Sequence, residues 1–269
     1  MPNNAPIGIF DSGIGGLTLA HAITEILPNE SIIYFGDTAH LPYGDKSATA
    51  IQSYSVKICN LLLEKNCKLI LIACNSASAA AFDLVKAYVG SKAIVVNVID
   101  PVIEYLSNSW EHKTLGLIGT KQTVNSGIYA QKAEHLKKDI QIKSLATPLL
   151  APMIEEGFFN NKISEQIIEE YLRNEKLQAI DGLILGCTHY PLIKKQIENY
   201  YQGSTSVIDT SLIVAKKIKS ILLENNLQTD QTQVGTRQFF VSDYTESFEK
   251  STQLFFGQEI KLEQYDIWD

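Results

Sequence analysis

Two cysteines in this sequence stand in the same local context, and a thiol is a group that can do chemistry. Cys74 directly follows the apolar run 69–73, and Cys187 directly follows the run 182–186. A short apolar run without polar alternation is typical of a strand that is buried on both faces of a parallel sheet. Ligands of such sheets bind beyond the carboxyl ends of the strands. We therefore expect both thiols to lie where a substrate binds.

The chemistry that two such thiols can share is proton transfer. A thiolate is a base as well as a nucleophile, and free cysteine, with a pKa of about 8.5, is only slightly ionised at neutral pH. Amides at the start of a following helix would lower that pKa, because they favour negative charge. If the thiols face each other across a cleft, one can take a proton from one face of a carbon while the other protonates the opposite face. Inversion next to a carboxylate is such a reaction, and its two thiols would titrate as a coupled pair.

Asp11 and His189 are the side chains that we expect to assist the thiols. Asp11 ends the first predicted strand, where it could hold a substrate ammonium group; the alternative is an N-cap of the following helix. His189 lies two residues after Cys187, so an extended chain would place both side chains on one face. The alternative is an exposed histidine without a role. A metal site built from Cys74, Cys187 and His189 is disfavoured, because no acid or second histidine recurs at ligand spacing.

The elements that must position these residues alternate between strand-like apolar runs and amphipathic helical patterns. This alternation predicts an α/β protein with a parallel sheet. The order of the patterns restarts along the chain, because Thr120 follows a later apolar run as Asp11 ends the first one. Asp11 precedes Cys74 by 63 residues, and Thr120 precedes Cys187 by 67. The repeat predicts two similar α/β halves; the alternative is a chance resemblance among βα units.

A further landmark supports the repeat. Each cysteine strand is followed by a predicted strand that ends in Val-Ile-Asp, at 98–100 and 207–209. Beyond the second of these, the chain is expected to return to the first half. The expected division is therefore a discontinuous first domain, residues 1–98 plus 208–269, and a second domain, residues 99–207.

Composition and charge argue against several classes of protein. The net charge is -7 and no run rich in Lys or Arg occurs, so no basic footprint for nucleic acid is present. No stretch is apolar enough for a membrane span, and the first residues lack the pattern of a signal peptide, so a cytoplasmic protein is expected. The four cysteines lack zinc-ribbon spacing and are too few for a disulfide scaffold. Cys59 and Cys67 are interpreted as small buried apolar residues.

The glycine-rich turn after the first strand partly resembles a dinucleotide-binding loop. Gly13 and Gly15 fit that pattern, and Asp37 lies near the place of a ribose-binding acid, but Thr18 stands where a third glycine would be. The glycines are better explained by a tight turn and a close approach to a ligand. Since neither cysteine motif contains a lysine for a Schiff base, no cofactor is expected.

Four motifs in this sequence together resemble the glutamate racemase family. They are Asp11-Ser-Gly-Ile-Gly-Gly-Leu17, Tyr34-Phe-Gly-Asp-Thr38 with Pro42-Tyr-Gly44, Ala73-Cys-Asn-Ser-Ala-Ser78 and Gly186-Cys-Thr-His-Tyr-Pro-Leu192. The resemblance runs in order over nearly the whole chain. It implies two pseudo-symmetric parallel-sheet α/β domains with the active site in the cleft between them. It also implies cofactor-independent interconversion of L- and D-glutamate, which supplies D-glutamate for bacterial peptidoglycan. The protein is expected to be a homodimer.

The resemblance also assigns roles to single residues. Cys74 and Cys187 would be the two acid/base residues, Cys74 acting on D-glutamate and Cys187 on L-glutamate. Asp11 and His189 would assist proton transfer, and Glu155 matches a further assisting acid. The residues that would bind the substrate are Asp11, Ser12, Tyr43, Gly44, Asn75, Ser76, Thr188 and His189.

Two departures from the family pattern leave both cysteines in place. Ser76 stands where threonine is usual, which keeps the hydroxyl, and Thr147 stands where many members have cysteine. The nearest rival is aspartate racemase, which usually has an acid where His189 stands. A rival of another class is a non-catalytic small-molecule-binding protein, which would need neither thiol.

Overall fold

Every strand pairing in the described part of the chain is parallel. The computed structural model describes residues 1–268, and its strands form two sheets. The first sheet contains β1 (Ile7–Asp11), β2 (Ile32–Gly36), β3 (Leu69–Ile72), β4 (Ile94–Asn97), β9 (Arg237–Val241) and β10 (Glu263–Gln264). The second sheet contains β5 (Thr114–Gly119), β6 (Gln141–Ala146), β7 (Gly182–Gly186) and β8 (Ser206–Ile208). Strands β1, β2, β3 and β7 are buried throughout, as continuous apolar runs predict.

Helices connect the parallel strands and cover the sheets. They are α1 (Leu17–Ile26), α2 (Ala48–Glu64), α3 (Asn75–Val89), α4 (Ile99–Ser109), α5 (Lys121–Asn125), α6 (Ile128–His135), α7 (Leu150–Glu155), α8 (Lys162–Leu172), α9 (Lys194–Tyr201), α10 (Thr210–Glu224) and α11 (Glu246–Phe256). Hydroxyl side chains fix three of their starts: Ser47 caps α2, Thr120 caps α5 and Thr245 caps α11, each accepting an N–H of the first turn. Among residues 1–268, no helix combines the length and apolarity needed to cross a membrane.

The two sheets repeat one order of strands. The first sheet runs β10-β9-β2-β1-β3-β4, and the second runs β6-β5-β7-β8. The segment β2-β1-β3-β4 therefore corresponds strand by strand to β6-β5-β7-β8. Strands β3 and β7, which precede Cys74 and Cys187, occupy equivalent places. The prediction of two pseudo-symmetric parallel-sheet halves is confirmed.

One apolar cluster joins the two halves. It includes Ile9 and Leu71 of the first sheet together with Leu117 and Ile184 of the second. A separate cluster, which contains Phe10, lies on the other face of the first sheet, where α2 and α3 pack. Beyond β8, α10 packs against α1 and the chain adds β9 and β10 to the first sheet, so this sheet is built from both ends of the sequence.

The predicted strand end at 98–100 is wrong. Strand β4 ends at Asn97, and helix α4 begins at Ile99. The reason is local: Asn97 Oδ1 accepts the backbone N–H groups of Ile99 and Asp100 at 2.8 and 2.7 Å, which turns the chain into the helix. At the equivalent place in the second sheet, strand β8 continues to Ile208, and Asp209 then caps α10.

A buried ion pair holds the start of β3. Lys68 is fully buried, and its ammonium group donates to Glu30 and to the carbonyl of Asn3. The other carboxylate oxygen of Glu30 accepts the N–H of Thr229 at 2.7 Å. Since both charges are out of water, each depends on the other for its stabilisation.

The Lys68→Met variant should therefore lose about 3–5 kcal/mol of unfolding free energy, because the Glu30 carboxylate would remain buried without its cation. Urea unfolding followed by circular dichroism measures this loss. The matched control is Lys217→Met, which breaks a more exposed pair with Glu104 and should cost less than about 1 kcal/mol. Equal losses in the two variants would contradict the role of the buried pair.

Candidate active site

A cavity of about 190 Å³ lies between the two halves, at the carboxyl ends of β1, β3, β5 and β7. Both Cys74 and Cys187 line it, as the sequence predicts. The other residues around it are Ser12, Leu41, Pro42, Tyr43, Gly44, Asn75, Ser76, Thr120, Ala151, Pro152, Glu155, Thr188 and His189. A larger groove, about 670 Å³, lies between α4 and α10, but no cysteine or histidine lines it. The chemistry therefore belongs to the smaller cavity.

Cys74 sits at the N-cap of α3. Its Sγ accepts the N–H of Ala77 at 3.4 Å, and its S–H donates to Ser12 Oγ at 3.8 Å. Burial raises the pKa of Cys74 to about 12, and the nearby Asp11 adds to the rise. The amide of Ala77 acts in the opposite direction, as expected for a helix start, but burial outweighs it. Cys74 is therefore a thiol and a proton donor.

Cys187 has a different neighbour. The Nδ1 atom of His189 lies 3.5 Å from Cys187 Sγ, and its Nε2 atom lies 2.8 Å from Glu155 Oε1. The contact does not arise as the sequence suggested: β7 ends at Gly186, and His189 adopts a helical conformation at the start of a 3₁₀ turn. The turn, rather than an extended strand, brings the imidazole back to the sulfur. His189 is also buried, so the alternative of an exposed histidine is wrong.

The charge state of His189 follows from these neighbours. Burial lowers the pKa of the imidazole, but the sulfur of Cys187 and the carboxylate of Glu155 together raise it well above its usual value. The imidazolium form of His189 is therefore favoured. Its Nδ1–H can donate a hydrogen bond toward the sulfur of Cys187.

Asp11 is fully buried next to Cys74, and the charge of His189 also acts on it. Its Oδ1 atom accepts the hydroxyl of Ser12 at 3.0 Å and the N–H of Gly13 at 3.1 Å, whereas Oδ2 has no hydrogen-bond partner among the described residues. Burial raises the pKa of this carboxyl, and the charge of His189 opposes the rise. Asp11 does not cap α1, which starts at Gly16 without a side-chain cap, so that alternative is wrong.

The glycines of the turn after β1 allow the second half to approach. A side chain on Gly15 would overlap with the ring of His189 and the hydroxyl of Thr188, and one on Gly16 would press on Asp11. Gly44 has the same function on the other wall, where it packs against Thr120. The glycines therefore serve close packing around the cavity, whereas the close approach to a ligand that the sequence indicated stays a prediction.

Asp11 does not itself line the cavity, whereas the remaining predicted binding residues all do. Ser76 Oγ lies 2.8 Å from Thr120 Oγ1, and Asn75 Oδ1 accepts the hydroxyl of Tyr129 at 2.7 Å, so both reach across to the second half. The phenol of Tyr43 instead donates to Asp37 at 2.7 Å. Tyr43 is therefore a wall of the cavity, and its hydroxyl is already engaged.

Sequence reasoning missed several residues of the site. Thr120 was identified only as a landmark of the repeat, although it follows β5 as Asp11 ends β1. Leu41, Ala151 and Pro152 carry no chemical signal in the sequence, because an apolar residue that shapes a wall looks like any core residue. Tyr129 meets Asn75 only because α6 of the second half packs near α3, a contact that no local pattern indicates.

The charges around the cavity set limits on its chemistry. No lysine or arginine lines it. Within residues 1–268, no group of three or more His, Cys, Asp or Glu side chains could hold a metal ion. The first amides of α3 have no partners inside their helix, so they are available to an anion such as a carboxylate.

Comparisons with known proteins identify the family of this chain. The family described as Asp/Glu/Hydantoin racemase matches residues 17–218. A glutamate racemase of Chlorobaculum parvum is 37% identical over 95% of this chain and 94% of its own, and one of Sulfurihydrogenibium is 38% identical over 98% of each. The crystal structure of glutamate racemase from Francisella tularensis in complex with D-glutamate has a TM-score of 0.91 at 38% identity, covering 99% of both chains.

These matches confirm both the resemblance that the four motifs indicated and the fold of two parallel-sheet α/β domains. They extend over nearly the full length of this chain and of its relatives. The chain belongs to the Asp/Glu/Hydantoin racemase family, and within it to the glutamate racemases.

Proposed function

We propose that this protein interconverts L- and D-glutamate by proton transfer between Cys74 and Cys187, without a cofactor. The observation that carries the proposal is the placement of two thiols at equivalent strand ends of two similar halves, around one small cavity. Thiols that approach a carbon from opposite faces can invert it. Glutamate is proposed as the substrate because the relatives of this chain are glutamate racemases.

The cavity offers partners for each charged group of an amino acid. Asp11 does not itself line the cavity, so it would act on the substrate ammonium group through Ser12, whose hydroxyl donates to its Oδ1. The amides at the start of α3, in Asn75 and Ser76, and those that follow Cys187 can receive carboxylates. When the α-proton leaves, negative charge spreads onto the adjacent carboxylate, and fixed amide dipoles in a dry site stabilise it.

The two thiols would work as an acid and a base in turn. For L-glutamate, the Cys187 thiolate beside the His189 imidazolium takes the α-proton, and the Cys74 thiol protonates the opposite face. For D-glutamate the roles reverse. Each turnover therefore leaves the proton of the substrate on one sulfur and gives the product a different proton from the other. Groups whose environments favour opposite protonation states are suited to this division of labour.

The cellular setting is also a proposal that rests on the family. D-glutamate made by this reaction would supply peptidoglycan synthesis, and the protein would act in the cytoplasm as a homodimer. A rival function is racemisation of aspartate, which shares the two-thiol chemistry. The imidazole of His189, held between Cys187 and Glu155, favours glutamate by the family pattern.

Replacement of either active cysteine by alanine should abolish racemisation, because inversion needs a proton donor and acceptor on both faces. We expect a loss of at least about a thousandfold in kcat for Cys74→Ala and for Cys187→Ala, measured by circular dichroism of glutamate. The matched control is Cys59→Ala: Cys59 is buried in α2, outside the cavity, and this variant should keep its kcat. A single active-site variant that racemises near the wild-type rate would contradict the proposal.

In heavy water, the product formed early from either enantiomer should carry deuterium at the α-carbon, while unreacted substrate should stay mostly protiated. The reason is that a thiol carries one proton, so the product's proton comes from the other sulfur. Mass spectrometry after chiral separation measures both species. Product that keeps its original α-hydrogen would indicate one base that reaches both faces.

The turnover of D-glutamate should depend more steeply on pH than that of L-glutamate. Because burial raises the pKa of Cys74 to about 12, its thiolate fraction is small and grows about tenfold per pH unit below that value. The kcat for D-glutamate should therefore rise between about pH 6 and pH 9. The measurement is kcat against pH for each enantiomer. The ratio kcat/KM cannot separate the two directions, because the enantiomers have equal free energy and their kcat/KM values must therefore be equal at every pH. Parallel kcat profiles would contradict the assignment of Cys74 as the base for D-glutamate.

Glutamate should be racemised far better than aspartate. The shorter substrate cannot place both carboxylates and its α-carbon correctly at once, and a missing methylene alone reduces kcat/KM by about 10- to 200-fold. Initial rates with both L-amino acids at several concentrations give the ratio. Comparable kcat/KM values would favour the aspartate racemase alternative.

A further inference from the structure

A buried carboxylate lies behind one wall of the cavity. Asp37, which follows β2, is fully buried, and several donors surround its oxygens. Oδ2 accepts the phenol of Tyr43 at 2.7 Å, and Oδ1 accepts Ser242 Oγ at 2.9 Å and Trp268 Nε1 at 3.0 Å. His40 Nδ1 lies 3.0 Å from both oxygens. A carboxylate without access to water needs such donors, so its orientation is fixed by them.

This carboxylate anchors a loop of the cavity, residues 37–46, which we call the pocket loop. The loop supplies four cavity residues, from Leu41 to Gly44. Within it, Tyr43 is 1% exposed, and its phenol points to Asp37. Burial and the charge of Asp37 raise the pKa of this phenol, so it stays protonated and keeps donating. The position of the wall therefore depends on the orientation of the Asp37 carboxylate.

Trp268 reaches this carboxylate from the far end of the sequence. Strand β10 runs parallel to β9, and β9 runs parallel to β2, so the chain after β10 emerges at the sheet edge where the pocket loop begins. The indole ring then packs edge-on against His40 at 4.4 Å and Tyr54 at 5.4 Å between centroids, and Lys57 Nζ lies 5.1 Å from its centre. Trp268 therefore contacts both the pocket loop and α2.

We propose that Trp268 is a positioning residue for the substrate, acting through Asp37 and Tyr43 on the wall of the cavity. This role rests on the proposed glutamate racemase function. The indole N–H fixes the Asp37 carboxylate, the carboxylate fixes the phenol of Tyr43, and Tyr43 fixes the backbone of the pocket loop beside the substrate. Trp268 itself does not line the cavity.

The other reading is that the indole ring only covers an apolar surface. The two readings differ in what the N–H group does, so the test is Trp268→Phe, which keeps an aromatic ring and removes the donor. The chain offers a matched control in Trp110, its other tryptophan. The Nε1 of Trp110 is buried without a hydrogen-bond partner among residues 1–268, so Trp110→Phe removes the same group and loses no hydrogen bond.

Steady-state kinetics with both enantiomers gives the first measurement. In Trp268→Phe the KM for glutamate should rise by about three- to tenfold. This is the effect expected when part of the free energy of one lost hydrogen bond to a carboxylate appears as weaker binding of the substrate. The kcat should stay within about twofold, because the two thiols and His189 are untouched. Trp110→Phe should change neither constant.

Hydrogen exchange of the wild-type and variant proteins gives a second measurement that needs no substrate. In Trp268→Phe the backbone amides of the pocket loop should exchange several times faster, while those of β7 should keep their protection. In Trp110→Phe the pocket loop should exchange as in the wild type.

The two measurements separate the positioning role from the proposed function. Faster exchange of the pocket loop in a protein that racemises glutamate, with the expected rise in KM, supports the role. Faster exchange in a protein that does not act on glutamate at all would leave the link from Trp268 to the loop intact and overturn the racemase function. Unchanged exchange and unchanged KM in Trp268→Phe would overturn the positioning role, and so would a fall in kcat without a rise in KM.

Discussion

Burial of the side chains that do the chemistry is the constraint on which the rest of the site depends. Asp11, Cys74, Cys187 and His189 each have at most 7% of their surface exposed. In such surroundings, every charge needs a partner, and every interaction between charges is stronger than in water. Burial holds Cys74 in its thiol form and would hold His189 neutral as well. His189 becomes charged because Cys187 and Glu155 stand on either side of it.

The pseudo-symmetry of the fold supplies two thiols, and the differences between the halves give them different neighbours. Burial and the nearby carboxyl of Asp11 favour the thiol form of Cys74, and they outweigh its hydrogen bonds with Ser12 and Ala77, which lower the pKa. Cys187 has an imidazole within 3.5 Å. A fully symmetric site would give both sulfurs the same tendency to ionise and leave the first proton transfer undirected. Here the neighbours differ: a histidine whose pKa is raised lies beside Cys187, and a buried carboxyl lies beside Cys74.

Much of this arrangement could be predicted from local pattern. Continuous apolar runs indicated buried parallel strands, and the position of each cysteine directly after such a run placed it at the edge where ligands bind. What local pattern could not give is contact between distant segments. Glu155 meets His189 across 34 residues, and Trp268 meets Asp37 across 231. The contact of His189 with Cys187 was expected from an extended chain, but it is made by a 3₁₀ turn that follows β7.

The separation of the two thiols is set mainly by the core rather than by the polar contacts across the cleft. Hydrogen bonds join Thr18 to the carbonyl of Thr188 at 2.9 Å, Ser76 to Thr120, and Asn75 to Tyr129. Each such neutral bond contributes about 1 kcal/mol. The apolar cluster beneath them spans both sheets, and each fully buried aliphatic side chain in it contributes about 1.5–3 kcal/mol. The core therefore fixes the distance between the halves, while the hydrogen bonds orient the side chains that face the substrate.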